Sequence, residues 1–237
     1  MKKKILMLSV SIFIFCGYTK SQIKFKTAIE AGISFNQFSK KKTEQLVIGT
    51  QQVSSRSIWS PVLGLHEQFV IINHVVLSAG LQYQQSGHSQ RELLTLGKNS
   101  VMPGTIEDSK ITQSYSKLGV PLSVGIRFPV VPLVFHATLS IGYRPCYYLS
   151  GKYSNESSST NPANPSSTSF SQSVFNSNNN SYRLQQQVFV SASLLFFKHL
   201  DLGFSYYSGQ KIQYIPVSMY VATLPGNDFV ISLKAIF

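Results

Sequence analysis

From Ile23 to Phe35 the chain alternates without a break. Ile23, Phe25, Thr27, Ile29, Ala31, Ile33 and Phe35 fall on one side of an extended backbone, and Lys24, Lys26, Ala28, Glu30, Gly32, Ser34 and Asn36 on the other. A period of two belongs to a β-strand, because successive side chains point to opposite faces. The run is about twice the length of a common globular strand. The same pattern returns with Val75, Leu77, Ala79, Leu81 and Tyr83 on one face, and again with Leu118, Val120, Leu122, Val124, Ile126 and Phe128. It returns with Leu133, Phe135, Ala137, Leu139, Ile141 and Tyr143, then with Leu200, Leu202, Phe204 and Tyr206, and last with Phe229, Ile231, Leu233, Ala235 and Phe237. Weaker runs at about Ile58–Ile71 and Leu184–Phe196 bring the expected total to eight strands.

The opposite faces decide what surrounds such strands. They hold Gly, Ser, Thr and Gln with isolated charges, and only 13% of the whole chain is Asp, Glu, Lys or Arg. A soluble sheet shows a face dense in Lys and Glu; small neutral side chains suit the crowded bore of a narrow barrel, and apolar faces edged with Tyr and Phe suit lipid. The connections also alternate. Ile72–His74, Pro129–Pro132 and Phe197–His199 are tight, whereas about Gln37–Ser57, Ser86–Thr112, Gly151–Tyr182 and Ser208–Asn227 are long. The expected fold class is therefore all-β: an eight-stranded antiparallel up-and-down transmembrane β-barrel with short periplasmic turns and long extracellular loops. Within the third long loop, Ser154–Ser181 holds 11 Ser and 7 Asn and reads as a mobile, solvated segment. Pro121 stands mid-strand, where it removes a ladder hydrogen bond, and predicts a bulge. Glu67 falls on the apolar register, close enough to the Ile72–His74 turn to sit at an interface.

Residues 1–21 read as a secretory leader: Lys2, Lys3 and Lys4, the apolar run Ile5–Phe15, then Thr19 and Ser21 before a cut at Gln22. An uncleaved anchor needs about 20 apolar residues, more than this run supplies. Residues 22–237 then form one barrel domain, and the net charge falls from +12 to +8 as Lys2, Lys3, Lys4 and Lys20 leave. Cys146 is the cysteine that remains, so no internal disulfide is expected. The basic balance points to phosphate-bearing lipid head groups, since no helix-turn-helix, zinc-finger or RNP-type signature signals nucleic acid.

Three stretches resemble a known family, the PorT-like outer-membrane β-barrel proteins of Bacteroidetes. Tyr115–Leu122 (YSKLGVPL) is similar to the family's Y-L-x-I-P-L strand, with Val120 where Ile is common and Gly119 in place of an acidic residue. The stretch from Gly64-Leu-His-Glu to Leu81-Gln-Tyr-Gln-Gln-Ser-Gly87 resembles its second hairpin, and Asp201–Gly209 (DLGFSYYSG) its seventh strand. The resemblance implies an eight-stranded barrel in the outer membrane. The family's namesake belongs to type IX secretion and gliding, while most members have no defined activity.

The inward register gathers Lys24, Lys26, Glu30, Arg127, Arg144, Asp201 and Lys234. Buried charges must pair or be wetted, so these residues are expected to form a polar plug. Asp201 is expected to pair with Arg127 or a terminal lysine. Asp228, at the end of the fourth long connection, is expected to tolerate loss of its charge. Phe237 ends the chain on the apolar face, where a terminal aromatic resembles a signal for the barrel-assembly machinery. Lipid A-modifying barrels use a His and a Ser near the outer rim; His66, His136 and Ser140 are the candidates, and neither histidine has an evident orienting acid. The five histidines lack metal-ligand spacing, and no cofactor motif appears. The expected function is a non-enzymatic outer-membrane protein with a structural or interaction role. Outer-membrane lipids and lipopolysaccharide are its expected partners, and secretion-system subunits are an alternative.

Overall fold

The computed structural model describes residues 23–36, 40–46, 49–71, 74–98, 100, 102–131, 134–161, 165–175, 183–209, 212–214, 222–224 and 227–237. The leader expected at 1–21 lies outside them. The elements are β1 (Ile23–Phe35), β2 (Lys40–Leu46), β3 (Gly49–Ile58), β4 (Ser60–Ile71), β5 (Val75–Leu96), β6 (Ile106–Gly119) and β7 (Leu122–Val131). They continue with β8 (Phe135–Ser159), β9 (Ser166–Ser173), β10 (Leu184–Phe196), β11 (Leu200–Gly209), β12 (Ile212–Tyr214), β13 (Ala222–Leu224) and β14 (Asn227–Ile236). All pairings are antiparallel. β1 pairs β4, β4 pairs β5, β5 pairs β6 and β7, and both of these pair β8. β8 pairs β10, β10 pairs β11, β11 pairs β14, and β14 returns to β1. Counting β6 and β7 as one stave, eight staves close into a ring, which leaves no free edge around its circumference.

The β6/β7 stave breaks at Val120 and Pro121, as expected of a residue with no N–H to give. The expected bulge is not there. Gly119 faces Cys146 and Leu122 faces Tyr143, so the register runs straight through. The neighbours bridge the gap: Val120 N donates to Pro145 O at 3.0 Å and Gly80 N to Pro121 O at 3.0 Å. The register shifts instead at Ser116/Lys117. The second tight connection also moves. β7 runs on to Val131 with an irregularity after Pro129, and Val134 closes a turn onto Val131 O.

Among the described residues, the first three long connections are largely strands, and the fourth contributes the short pair β12 and β13. β2 and β3 form a hairpin, β5 and β6 continue well above the ring, and β8 continues into a hairpin with β9. Together β2-β3-β5-β6-β8-β9 make a wall standing on one side of the ring. The Ser-rich segment read as mobile thus contributes Ser154–Ser159 and Ser166–Ser173 to paired strands. Backbone pairing does not require apolar burial, and alternating serines leave the ladder's N–H and C=O groups unobstructed. Side-chain ties cross the wall: Arg91 Nε and Nη2 grip Asp108 at 2.5–3.1 Å, and Lys110 meets Glu156 at 3.1 Å. Hydrogen bonding to Arg91 holds the Asp108 carboxyl below its ordinary range.

At the opposite end, three turns are closed by backbone bonds of 3.1 Å, His74 N to Ile71 O, Val134 N to Val131 O and His199 N to Phe196 O. In the last of them Phe197 and Lys198 take φ of 48° and 69°. Two consecutive left-handed residues make a type I′ turn, whose twist matches the flanking strands but favours Asn-Gly. A side chain in this region costs about 1 kcal/mol. Lys198→Gly is therefore expected to raise stability by about 1 kcal/mol, read as a higher urea midpoint for the folded protein in lipid vesicles; an unchanged or lower midpoint contradicts the strain.

Candidate functional site: the interior of the ring

The two sides of the ring have opposite chemistry. Phe25, Ile29, Leu63, Leu65, Leu81, Val124, Ile126, Leu139, Ile141, Val188, Val190, Leu202, Phe204 and Leu233 stand exposed on the outside. Glu30, His66, Gln68, Gln82, Gln84, Lys117, Arg127, Arg144, Gln185, Gln187, Asp201 and Asp228 are buried within. Alternation on each strand sorts them.

The upper interior is one connected polar network. Glu30 Oε2 accepts from Gln82 Nε2 at 2.7 Å, lies 2.8 Å from His66 Nε2, and its Oε1 lies 3.7 Å from Lys234 Nζ. Gln82 Oε1 accepts from Arg144, which also donates Nη1 to Gln84 Oε1 at 2.8 Å and Nε to Gln187 Oε1 at 3.0 Å. Gln187 Nε2 donates to Asp228 Oδ2 at 3.0 Å, Arg144 Nη2 lies 3.3 Å from the same oxygen, and Lys117 completes the ion pair. The Arg144 guanidinium carbon sits 3.5 Å from the Tyr207 ring centroid, a cation–π contact. These residues come from β1, β4, β5, β6, β8, β10, β11 and β14, so every stave contributes. Gly64 leaves room for the Glu30–His66 pair: a Cβ there would fall 2.8 Å from Glu30 Oε2 and 2.9 Å from His66 Nε2.

Above the network, Tyr115, Tyr148, Tyr153, Val174 and Phe175 pack into a cluster that caps the mouth below the wall. Tyr115 OH accepts from Asn36 Nδ2 at 3.0 Å, and Tyr148 OH donates to Gln185 Oε1 at 2.9 Å. Below the network lies a cavity of about 50 Å³ lined by His66, Ser78, Ser123, Thr138, Ser140, Asp201 and Lys234 among others, enough for a few waters. Beneath it a basin of about 380 Å³ is lined by Lys24, Lys26, Val70, His74, Arg127, Pro129, His136, Leu195 and Lys198.

The inward residues singled out from sequence are divided between these layers. Glu30, Arg144 and Lys234 join the network. Lys24 and Lys26 line the basin, and Arg127 stands between basin and cavity. Asp201 and Arg127 share the small cavity but do not pair. Arg127 donates to Thr138 Oγ1 at 3.3 Å and Gln68 Oε1 at 3.5 Å, while Asp201 Oδ1 has no hydrogen-bond partner. Their staves are separated by β8 and β10, and neither side chain spans that gap. Lys234 is the register partner of both Asp201 and Glu30, and it is Glu30 that its Nζ approaches, at 3.7 Å. Phe237 is exposed outside the ring, with its N donating to Thr27 O at 2.9 Å. Glu67 faces outward and accepts from Thr27 Oγ1 at 2.9 Å.

Two expectations are reversed. Asp228 is no loop-end bystander but a fully buried acceptor for Lys117, Arg144 and Gln187. The signal was present: with Phe229 outward, its neighbour must point in. His66 does have an orienting acid, Glu30, which register brings to it from β1. The pair lies deep in the ring, and among the described residues no serine hydroxyl bonds to either His66 or His136.

No protein-family profile matches the chain, and no curated protein matches it. Among solved structures it is similar to the attachment invasion locus protein Ail of Yersinia pestis, at 11% identity and a TM-score of 0.32 over 90% of this chain and 99% of that one. It is also similar to the β domain of the Bordetella autotransporter BrkA, at 7% identity and a TM-score of 0.20 over 91% and 99%, and to the transport unit of the Escherichia coli autotransporter AIDA-I, at 9% identity and 0.19 over 92% and 90%.

Removing one member of a buried pair strands its partners. Asp228→Asn leaves Lys117 and Arg144 facing each other without a carboxylate and is expected to cost about 3–5 kcal/mol. Asp201→Asn, which breaks no ion pair, is expected to cost far less. Urea unfolding of both variants in vesicles checks this, and equal losses would refute the hub role of Asp228.

Proposed function

We propose that this chain is a non-enzymatic outer-membrane β-barrel protein with a structural or interaction role at the cell surface. The inverted polarity of the closed ring carries this reading. An apolar outside wrapped around a buried polar interior is unstable in water, because exposed apolar patches beyond a few hundred Å² seek a partner. In a bilayer the same arrangement is favourable, since the closed ladder satisfies every strand's backbone.

The aromatics support a membrane slab of the right height. Near the turn end, Phe25 stacks edge-on with Phe69 at 4.8 Å and Phe135 with Phe196 at 4.9 Å. Near the wall end, Phe35 stacks with Trp59 at 5.0 Å and Phe229 at 5.2 Å, and Tyr206 lies 4.9 Å from Phe229. Phe25 and Phe35 are ten steps apart on β1. At about 3.3 Å per step and a tilt of about 40°, the two girdles are about 25 Å apart. In this reading the turns and both ends of the ring's chain face the periplasm, and the wall faces outward. Lys41 and Arg56 on the wall, which do not share in its Lys42–Glu44, Arg91–Asp108 and Lys110–Glu156 ion pairs, suit the phosphates of lipopolysaccharide. The network and aromatic cap support a plug with little ion conductance. Membership of the PorT-like family is proposed on Tyr115–Leu122, which supplies Tyr115 and Lys117 to the interior.

Trp59 is the chain's single tryptophan and is 62% exposed at the upper girdle. In nanodiscs its fluorescence is expected to be quenched more by lipids brominated near the head group than by those brominated near the chain end. The folded protein should also migrate differently on gels before and after boiling. Quenching by aqueous iodide alone, together with a soluble monomer in the periplasm, would overturn the membrane reading.

Phe237 is proposed as a signal to the barrel-assembly machinery. Its deletion should reduce membrane insertion in cells more than Leu233→Ala, a truncation on the same outer face. Equal reductions would make Phe237 an ordinary girdle residue.

A further inference from the structure

The polar interior divides its charges unequally. The acids among the described inward residues are Glu30, Asp201 and Asp228. Glu30 and Asp228 lie in the upper network with His66, Lys117, Arg144 and Lys234. Asp201 lines the small cavity above the basin, not the basin itself. The basin at the turn end therefore has cations and no carboxylate in its lining: Lys24 and Lys26 from β1, Arg127 from β7 and Lys198 from the type I′ turn. His74 and His136 complete the polar lining. Lys26, Arg127 and Lys198 have no carboxylate within 4.0 Å among the described residues, and Lys26 Nζ meets the Lys198 carbonyl at 3.4 Å. Burial is graded through the site, from Lys24 and Lys198 at the open rim to Arg127, buried at the inner wall. His74 Nδ1 bonds to the Arg127 carbonyl at 3.2 Å, tying turn and strand together, and His136 Nδ1 is buried without a partner.

Asp201 in the cavity above offsets Lys26 and Arg127 only in part, so the four cations still repel one another across one concave space, and an anion filling it lowers that cost. We infer that this basin is a binding site for a multiply charged phosphate-bearing ligand entering from the turn end of the ring. A cavity of about 380 Å³ admits a diphosphate or a phosphomonoester head. The buried guanidinium offers a directional fork for phosphate oxygens, and the lysines act as mobile point charges. The phosphate could belong to a soluble compound or to a lipid head group at the adjacent membrane surface. The soluble source can be tested wherever the protein resides, so failure of the membrane reading would leave that test intact.

The probe is inorganic pyrophosphate, titrated calorimetrically into folded protein in neutral detergent, with gel migration as the check on folding. Saturable one-to-one binding is expected. Lys24→Gln and Lys198→Gln, both at the exposed rim, should each weaken it several-fold, and Lys26→Gln together with Arg127→Gln should abolish it. Lys152→Gln, exposed on the wall, should leave it unchanged. A lipid source is indicated if nanodiscs carrying phosphatidic acid, but not phosphatidylcholine alone, block pyrophosphate binding; unchanged binding in both indicates a soluble source. The proposal is overturned if wild-type protein shows no saturable binding, if the rim variants bind as wild type does, or if citrate binds as tightly as pyrophosphate.

Discussion

Closing eight strands into a ring encloses whatever side chains face inward, and here those include Arg144, Lys117, Asp228 and Glu30. A buried charge without a counter-charge is far more costly than any single packing defect. The Arg144–Asp228 contact is the centre of the solution. Arg144 fills its donors with Gln82, Gln84, Gln187 and Asp228 and lays its face on Tyr207. Asp228 in turn neutralises Lys117. Because these partners stand on different staves, satisfying them fixes the ring's register and its closure together. The ring is held from within by hydrogen bonds, where a soluble domain is held by apolar packing. The interior's apolar groups gather in small clusters, such as Val62, Phe189, Tyr207 and Val230.

That internal solution releases the apolar side chains to the outside. The aliphatic belt and the paired aromatics at each end are two consequences of this inversion, and ring closure adds the absence of a free edge around the circumference. They favour a bilayer as the surrounding solvent. The network and the tyrosine cap leave a cavity of about 50 Å³ in the middle of the ring, so the favoured role lies in what the protein presents at its two ends. At one end stands a tall polar wall braced by Arg91–Asp108 and Lys110–Glu156. At the other is a basin whose lining is cationic.

The wall also shows how far local composition misleads. Serine- and asparagine-rich segments cannot build a core, and from sequence Ser154–Ser181 reads as solvated and mobile. Yet β8 carries its pairing with β6 upward past the ring, and each added rung offers the next strand an edge. β9 takes that edge without burying an apolar side chain, at Ser159↔Ser166 through Lys152↔Ser173.

What the sequence determined by itself was periodicity and its direct consequences. Alternation identified the strands, assigned Ile29 and Leu233 outward and Glu30 and Arg144 inward, and counted eight staves, because side-chain direction in a strand is a local property of the backbone. Only tertiary structure could decide which inward groups meet. Asp201 and Arg127 share a cavity but are held apart by intervening staves, whereas Asp228, next to a loop in sequence, reaches Lys117 from across the ring. His66 gained Glu30 because β1 and β4 pair in one register and not its neighbour. Such meetings depend on shear, closure and the height at which each strand enters the ring, and these are set by the whole ladder at once rather than by any one strand's residues.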